Sequence, residues 1–269
     1  MVKSSAQAAG VRGSGPHLLR AAVAMATLVA IGLAGGSADA RGRVLKGKGH
    51  VKMLPDKDKN VAMRYAALSP AECTAELGRR DIAFTPVEKA PGVSAPVRLA
   101  GPVGGVSYHT EAPEHARATS PFEVFDCRLV LALSDFSKVL VSHDIDEVTM
   151  FSAWRPPGKG WEEGHAGRRH PGGLAMDAKA FAKKAAPGKA RVWLDVEKDF
   201  HGKLGAVPCG PGAQAPMPAS PGARELRSVI CEAADQHFFS SILTPNYDRA
   251  HRNHFHLEVT PDVEWYLVR

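Results

Sequence analysis

His170-Pro171-Gly172-Gly173-Leu174-Ala175-Met176-Asp177 and His251-Arg252-Asn253-His254-Phe255-His256 are the two stretches around which the chain is organised. Read as extended from Gly173 to Asp177, the first puts Leu174 and Met176 on one face. Gly173, Ala175 and Asp177 fall on the other, where the small residues leave space beside the carboxylate. His170 precedes this segment in a Pro-Gly-Gly turn that can bend it back over the strand. In the second stretch Phe255, Leu257 and Val259 alternate with His254, His256 and Glu258, the pattern of a half-buried strand with two imidazoles on its polar face. Imidazole and carboxylate suit Zn²⁺, and three protein ligands leave a fourth position for water.

The spacing His170-x-x-Gly173-x-Ala175-x-Asp177 followed by His254-x-His256 resembles the signature of the LAS enzymes, the zinc D-Ala-D-Ala peptidases and peptidoglycan endopeptidases. The resemblance implies that His170, Asp177 and His256 bind zinc. His251, five residues before the last ligand, matches a His of the penicillin-insensitive murein endopeptidase branch. The run Pro245-Asn246-Tyr247-Asp248-Arg249-Ala250-His251-Arg252-Asn253-His254-Phe255-His256-Leu257-Glu258 is similar to the ending of the bacterial extensin-like C-terminal family. The likeness spans roughly residues 68 to 260. Arg168 departs from the pattern, since the peptidases carry Ser two residues before the first His.

The same resemblance gives expectations for catalysis. Arg155, at the end of Phe151-Ser152-Ala153-Trp154-Arg155, resembles the peptidases' Gly-Tyr-Arg segment, where Arg lies beside the metal. There it would hold a substrate carboxylate or a developing oxyanion; a surface ion pair is the alternative. His251 is expected to act as the base and His254 to support it. No HExxH motif is present. Together these imply a zinc-dependent hydrolase of amide bonds in peptidoglycan peptides. A non-catalytic zinc-containing cell-wall binding module is the rival reading.

A length of 269 residues allows one sizeable domain with appendages. Residues 1–40 read as an export signal: Lys3, Arg12 and Arg20, an apolar run from Ala21 to Ala34, then Ala38-Asp39-Ala40 as a small-x-small cleavage site. A retained membrane anchor is the alternative. Residues 41–63 read as a basic linker and 64–269 as the domain. Removing the three basic residues and one Asp of the signal takes the net charge from +6 to +4, a balance suited to an anionic cell wall or membrane surface. No nucleic-acid motif accompanies it. The four cysteines, Cys73, Cys127, Cys209 and Cys231, read as two disulfides in an exported chain. Of three connectivities, Cys73–Cys127 with Cys209–Cys231 keeps each pair within one contiguous segment.

Ser69-Pro70-Ala71-Glu72 is a capping box opening a helix that stops near Gly78. Arg128–Val141 has helical spacing, Ile145–Trp154 reads as a strand, and Glu225–Ser241 as the last helix. Residues 202–222, rich in Gly, Pro and Ala, read as a long loop. Without a repeating βαβ pattern the expected class is α+β: a small central antiparallel sheet with flanking helices, the LAS fold by resemblance.

Overall fold

In chain order the elements are β1 (Val51–Met53), α1 (Val61–Ala66), α2 (Pro70–Arg79), β2 (Phe84–Pro86), β3 (Pro96–Leu99), β4 (Ser107–Thr110), α3 (Glu114–Arg117), β5 (Phe125–Asp126) and α4 (Cys127–Ser142). There follow β6 (Ile145–Met150), β7 (Ala175–Lys183), β8 (Trp193–Asp195), α5 (Val196–Asp199), α6 (Pro221–Asp235), β9 (Ser241–Leu243), β10 (Phe255–Glu258) and β11 (Trp265–Val268). They come from a computed structural model that describes residues 51–53, 60–162, 164–185 and 187–269. The segment read as an export signal lies outside the described residues.

Local chemistry accounts for the helix starts. Ser69 Oγ accepts from Glu72 N at 3.3 Å, and Glu72 returns a bond to Ser69 N at 2.9 Å, the reciprocal capping box. The helix continues through Gly78 to Arg79. Asp126 caps α4 by accepting from Arg128 N at 3.0 Å. Leu129, Leu131, Leu133, Phe136 and Leu140 of α4 are fully buried, so this helix is apolar on more than one face. It packs on α1, α2, α6 and β6 and forms the centre of the core.

The main sheet has the order β1-β11-β9-β10-β7-β6-β4, with β8 added to β7. It is mixed, because β4 pairs parallel to β6 and β9 pairs parallel to β11. A single crossover through α4 joins β4 to β6, which a parallel pair requires. The expected small central antiparallel sheet is larger, with eight strands, and carries two parallel pairs among its antiparallel ones; mixed α+β stands. A second sheet, β2-β3-β5, is antiparallel.

Both expected disulfides are present. Cys73–Cys127 ties α2 to the first residue of α4, and Cys209–Cys231 pins the long loop before α6 onto that helix. They fit an oxidising, non-cytosolic compartment. No helix among the described residues is long and apolar enough to cross a membrane. Several boundaries differ from expectation, among them β6, which ends at Met150 and not Trp154. β1 pairs with β11, and Asn60 caps α1 through Met63 N at 3.1 Å, so ordered structure reaches into the stretch read as a linker. The last helix is Pro221–Asp235, shifted earlier than Glu225–Ser241, because Ser220 caps it and His237 turns to φ 54°.

Candidate metal centre

β7 and β10 are antiparallel neighbours, and their register sets Asp177 directly opposite His256. Directly opposed side chains lie about 4.5–5.5 Å apart at Cβ, so the sheet brings two potential ligands together before any loop contributes. The third arrives on a 3₁₀ turn, His170–Gly172. That turn is packed tightly: a Cβ on Gly172 would lie 2.2 Å from Gly167 O. Arg155 N donates to His170 O at 3.1 Å, and Trp154 Nε1 donates to Pro171 O at 3.2 Å.

Gly173 is not part of the strand. It ends the turn at φ 64°, and β7 starts at Ala175. A Cβ there would meet Asp126 N at 2.8 Å, while Asp126 N donates to Gly173 O at 2.8 Å. The expectation that this glycine clears space beside the carboxylate is corrected. It lets the turn lie against the start of α4 in a left-handed conformation.

Three imidazole nitrogens converge on one carboxylate oxygen. Asp177 Oδ1 lies 3.1 Å from His170 Nε2, 3.0 Å from His256 Nδ1 and 3.3 Å from His254 Nε2. The donor atoms of His170, Asp177 and His256 are all within 4.8 Å of one another, and these three residues form a group that can hold a metal ion. Ligands at about 2.0–2.1 Å in a tetrahedron sit about 3.3–3.4 Å apart, close to the spacings observed here.

The far side of each ligand ring is fixed. His170 Nδ1 donates to Ala153 O at 2.8 Å, so Nε2 is the nitrogen that faces Asp177 and would offer its lone pair to a metal there. His256 Nε2 donates to Glu258 Oε2 at 3.1 Å, which does the same for Nδ1. Glu258 is itself held by Thr260 Oγ1 at 2.8 Å. His170, Asp177, His256 and Glu258 are all buried. Burial alone would push the Asp177 carboxyl up; bonds from His170, His254 and His256 outweigh it and hold the group far below the ordinary carboxylate range. For Glu258 burial is likewise outweighed, here by His256, and the pKa is lowered. His256 is raised: its burial is overcome by Asp177 and Glu258.

The residues expected to act in catalysis border this group. Arg155 pairs with Asp177 Oδ2, and its Nε donates to Ser152 Oγ at 2.8 Å; its side chain is 51% exposed. His251 sits at the end of the 3₁₀ turn Arg249–His251, with Nδ1 donating to Asp248 Oδ1 at 2.7 Å. Its ring centroid lies 5.1 Å from that of His254 and 5.8 Å from that of His256. Burial lowers the His251 pKa, against the upward pull of Asp248. His254 also bonds Asn253 Oδ1 at 2.9 Å and packs edge-on against Phe151 at 5.8 Å.

Aromatic and acidic side chains of the neighbouring segments have other partners. Trp154 is buried with Ala90 and Val124. Trp161 stacks on His165 within its own loop at 5.1 Å. Asp146 and Glu147 are paired with Arg191. Tyr247, 43% exposed, packs on His251 at 5.3 Å. The roles of Glu258 and Asp248 escaped the sequence reading. The signal for Glu258 was its place two residues after His256 on the same strand face, and for Asp248 its place three residues before His251. No family model, curated protein or solved structure matches the chain.

Proposed function

We propose that the chain is an exported, zinc-dependent hydrolase of the LAS kind that cleaves amide bonds in peptidoglycan peptides. The observation that carries this reading is the pair of fixed ring orientations: Ala153 O on His170 and Glu258 on His256 hold one nitrogen of each ring and turn the other toward Asp177 Oδ1. Two neutral imidazoles and a carboxylate make a donor set suited to zinc with one position left over. When bound, zinc supplies Lewis acidity, polarising the scissile carbonyl and activating water.

The chain's own residues supply the rest. Asp248 holds the Nδ1 proton of His251, so Nε2 is the basic atom. With its pKa lowered by burial, His251 is neutral at neutral pH and accepts the proton of the attacking water. The same proton then passes to the leaving amine. Arg155 steadies Asp177 through Oδ2, and its half-exposed guanidinium remains open to a substrate carboxylate. His254 braces Asp177 from a third direction.

One observation favours the rival, a non-catalytic module: all three ligands are less than a tenth exposed, as in a closed structural site. Incubating zinc-loaded protein with purified peptidoglycan and weighing the released peptides by mass spectrometry separates the two. The hydrolase releases peptides, and His251→Ala lowers the rate by about 10²–10⁴-fold with zinc content intact. Protein that holds zinc and binds peptidoglycan without releasing peptides is the module.

A further inference from the structure

A second cleft, of about 650 Å³, opens between β3, β4 and α3 and shares no residue with the metal centre. Two half-buried arginines line it. Arg98 Nη1 donates to two main-chain carbonyls, Arg117 O at 3.1 Å and Ser120 O at 2.9 Å. Arg98, on β3, is thereby held against the main chain of Arg117, the last residue of α3. Neither guanidinium is paired with a carboxylate among the described residues. Arg117 Nε is buried and has no hydrogen-bond partner among the described residues. Burial pushes the Arg98 pKa down and the charge of Glu123 only partly offsets it, the mark of a cation taken from water without a paired counter-ion.

Acidic side chains in the same cleft do not supply that counter-ion. Glu123 Oε1 accepts from both Thr110 N and Thr110 Oγ1 at 2.7 Å. Glu147 is divided between His109 at 2.9 Å and Arg191 at 2.7 Å. Glu114, on the rim, is exposed and pairs with neither arginine. A guanidinium offers five donors in a planar fork matched to oxyanions, and two arginines lining one concave wall offer such donors to a single anion.

We propose that this cleft is a second binding site, taking an oxyanion group, phosphate or carboxylate, through Arg98 and Arg117. The site is independent of the hydrolase reading and places the anion away from the metal. It gives a basic exported chain a specific point of attachment to an anionic polymer or ligand, in addition to diffuse charge attraction.

The test is calorimetric titration of the full chain with inorganic phosphate and, separately, with succinate. Ionic strength is held constant with chloride, and excess chelator removes any anion held by metal. Saturable binding is expected for at least one probe; phosphate alone identifies phosphate as the ligand chemistry, succinate alone a carboxylate. Arg98→Gln and Arg117→Gln each weaken it by about tenfold or more. Among the described residues the Arg117 side chain donates no hydrogen bond, so Arg117→Gln is expected to keep the fold, and a matching thermal melt checks this. Absence of saturable binding to both probes overturns the proposal, as does unchanged binding in Arg117→Gln.

Discussion

Glu258→Gln tests the logic of the metal centre at a residue that touches no metal. Glu258 is 2% exposed, bonds His256 Nε2 at 3.1 Å and Thr260 Oγ1 at 2.8 Å, and lies 3.6 Å from Arg169 Nε. Glutamine keeps the volume and one carbonyl acceptor but removes the charge. His256 then loses the anionic acceptor that holds its Nε2 proton firmly and raises its basicity at Nδ1. Loss of such a partner typically weakens metal binding by about 10–100-fold, or about 1.4–2.8 kcal/mol. The sign of the pH dependence follows from the same bond. Glu258 helps hold the His256 pKa above its ordinary value, so protons compete with metal more strongly in the wild type. The variant's deficit is therefore largest at about pH 8 and shrinks toward about pH 6. Zinc affinity is read by competition with a chromophoric chelator, and circular dichroism checks the fold. Unchanged affinity in a folded variant refutes the assignment of His256 Nδ1 as a ligand atom oriented by Glu258.

Three further outcomes are expected. Replacing Cys73 and Cys127 by Ser costs about 4 kcal/mol for a separation of 54 residues, and replacing Cys209 and Cys231 about 3 kcal/mol for 22, by chain entropy; urea denaturation of the two double variants should rank them in that order. Gly173→Ala forces a Cβ to within 2.8 Å of Asp126 N at φ +64° and destabilises the fold by about 1–3 kcal/mol, seen as a lower melting temperature together with weaker metal retention, since the same turn carries His170. Asp135 is a stability switch in acid: burial would raise its pKa, but Lys138, Tyr65 and Arg80 hold it below the ordinary value. Its contribution is present above the unfolded pKa of about 4 and is lost as pH falls through the lower folded value. The wild type should therefore exceed Asp135→Asn in stability at neutral pH, with the gap closing in acid; a pH-independent gap in denaturation midpoints would assign the effect to packing instead.

What the sequence made legible was local. The capping box at Ser69 and Glu72 spans four residues and needs no tertiary partner. The cysteine pairs lie within contiguous segments, and the α4 periodicity survives because the helix is buried on most of its circumference. Element boundaries set by distant chain were illegible. The left-handed turn at Gly173 exists because α4 starts against it, and α6 stops before Phe238 and Phe239 although both are apolar. Periodicity alone carries a helix through those two rings. The parallel pairs β4/β6 and β9/β11 depend on crossovers that strand patterns do not encode.

The same division runs through the metal centre. Alternation along β10 put His254, His256 and Glu258 on one face, and the resemblance to the LAS peptidases, not the spacing alone, picked His256 from among them as a donor. The lone-pair directions of the donor rings were not readable. Which nitrogen of His170 faces Asp177 is decided by Ala153 O, from a segment 17 residues away, and which nitrogen of His256 does so by a carboxylate on its own strand. A His-rich motif can thus fix where a metal would sit and leave open whether the rings are turned to receive it. In this chain both rings are turned inward by partners buried beside them. That second layer distinguishes a preorganised site from a cluster of histidines, because a ring free to rotate would lose part of its binding free energy to ordering.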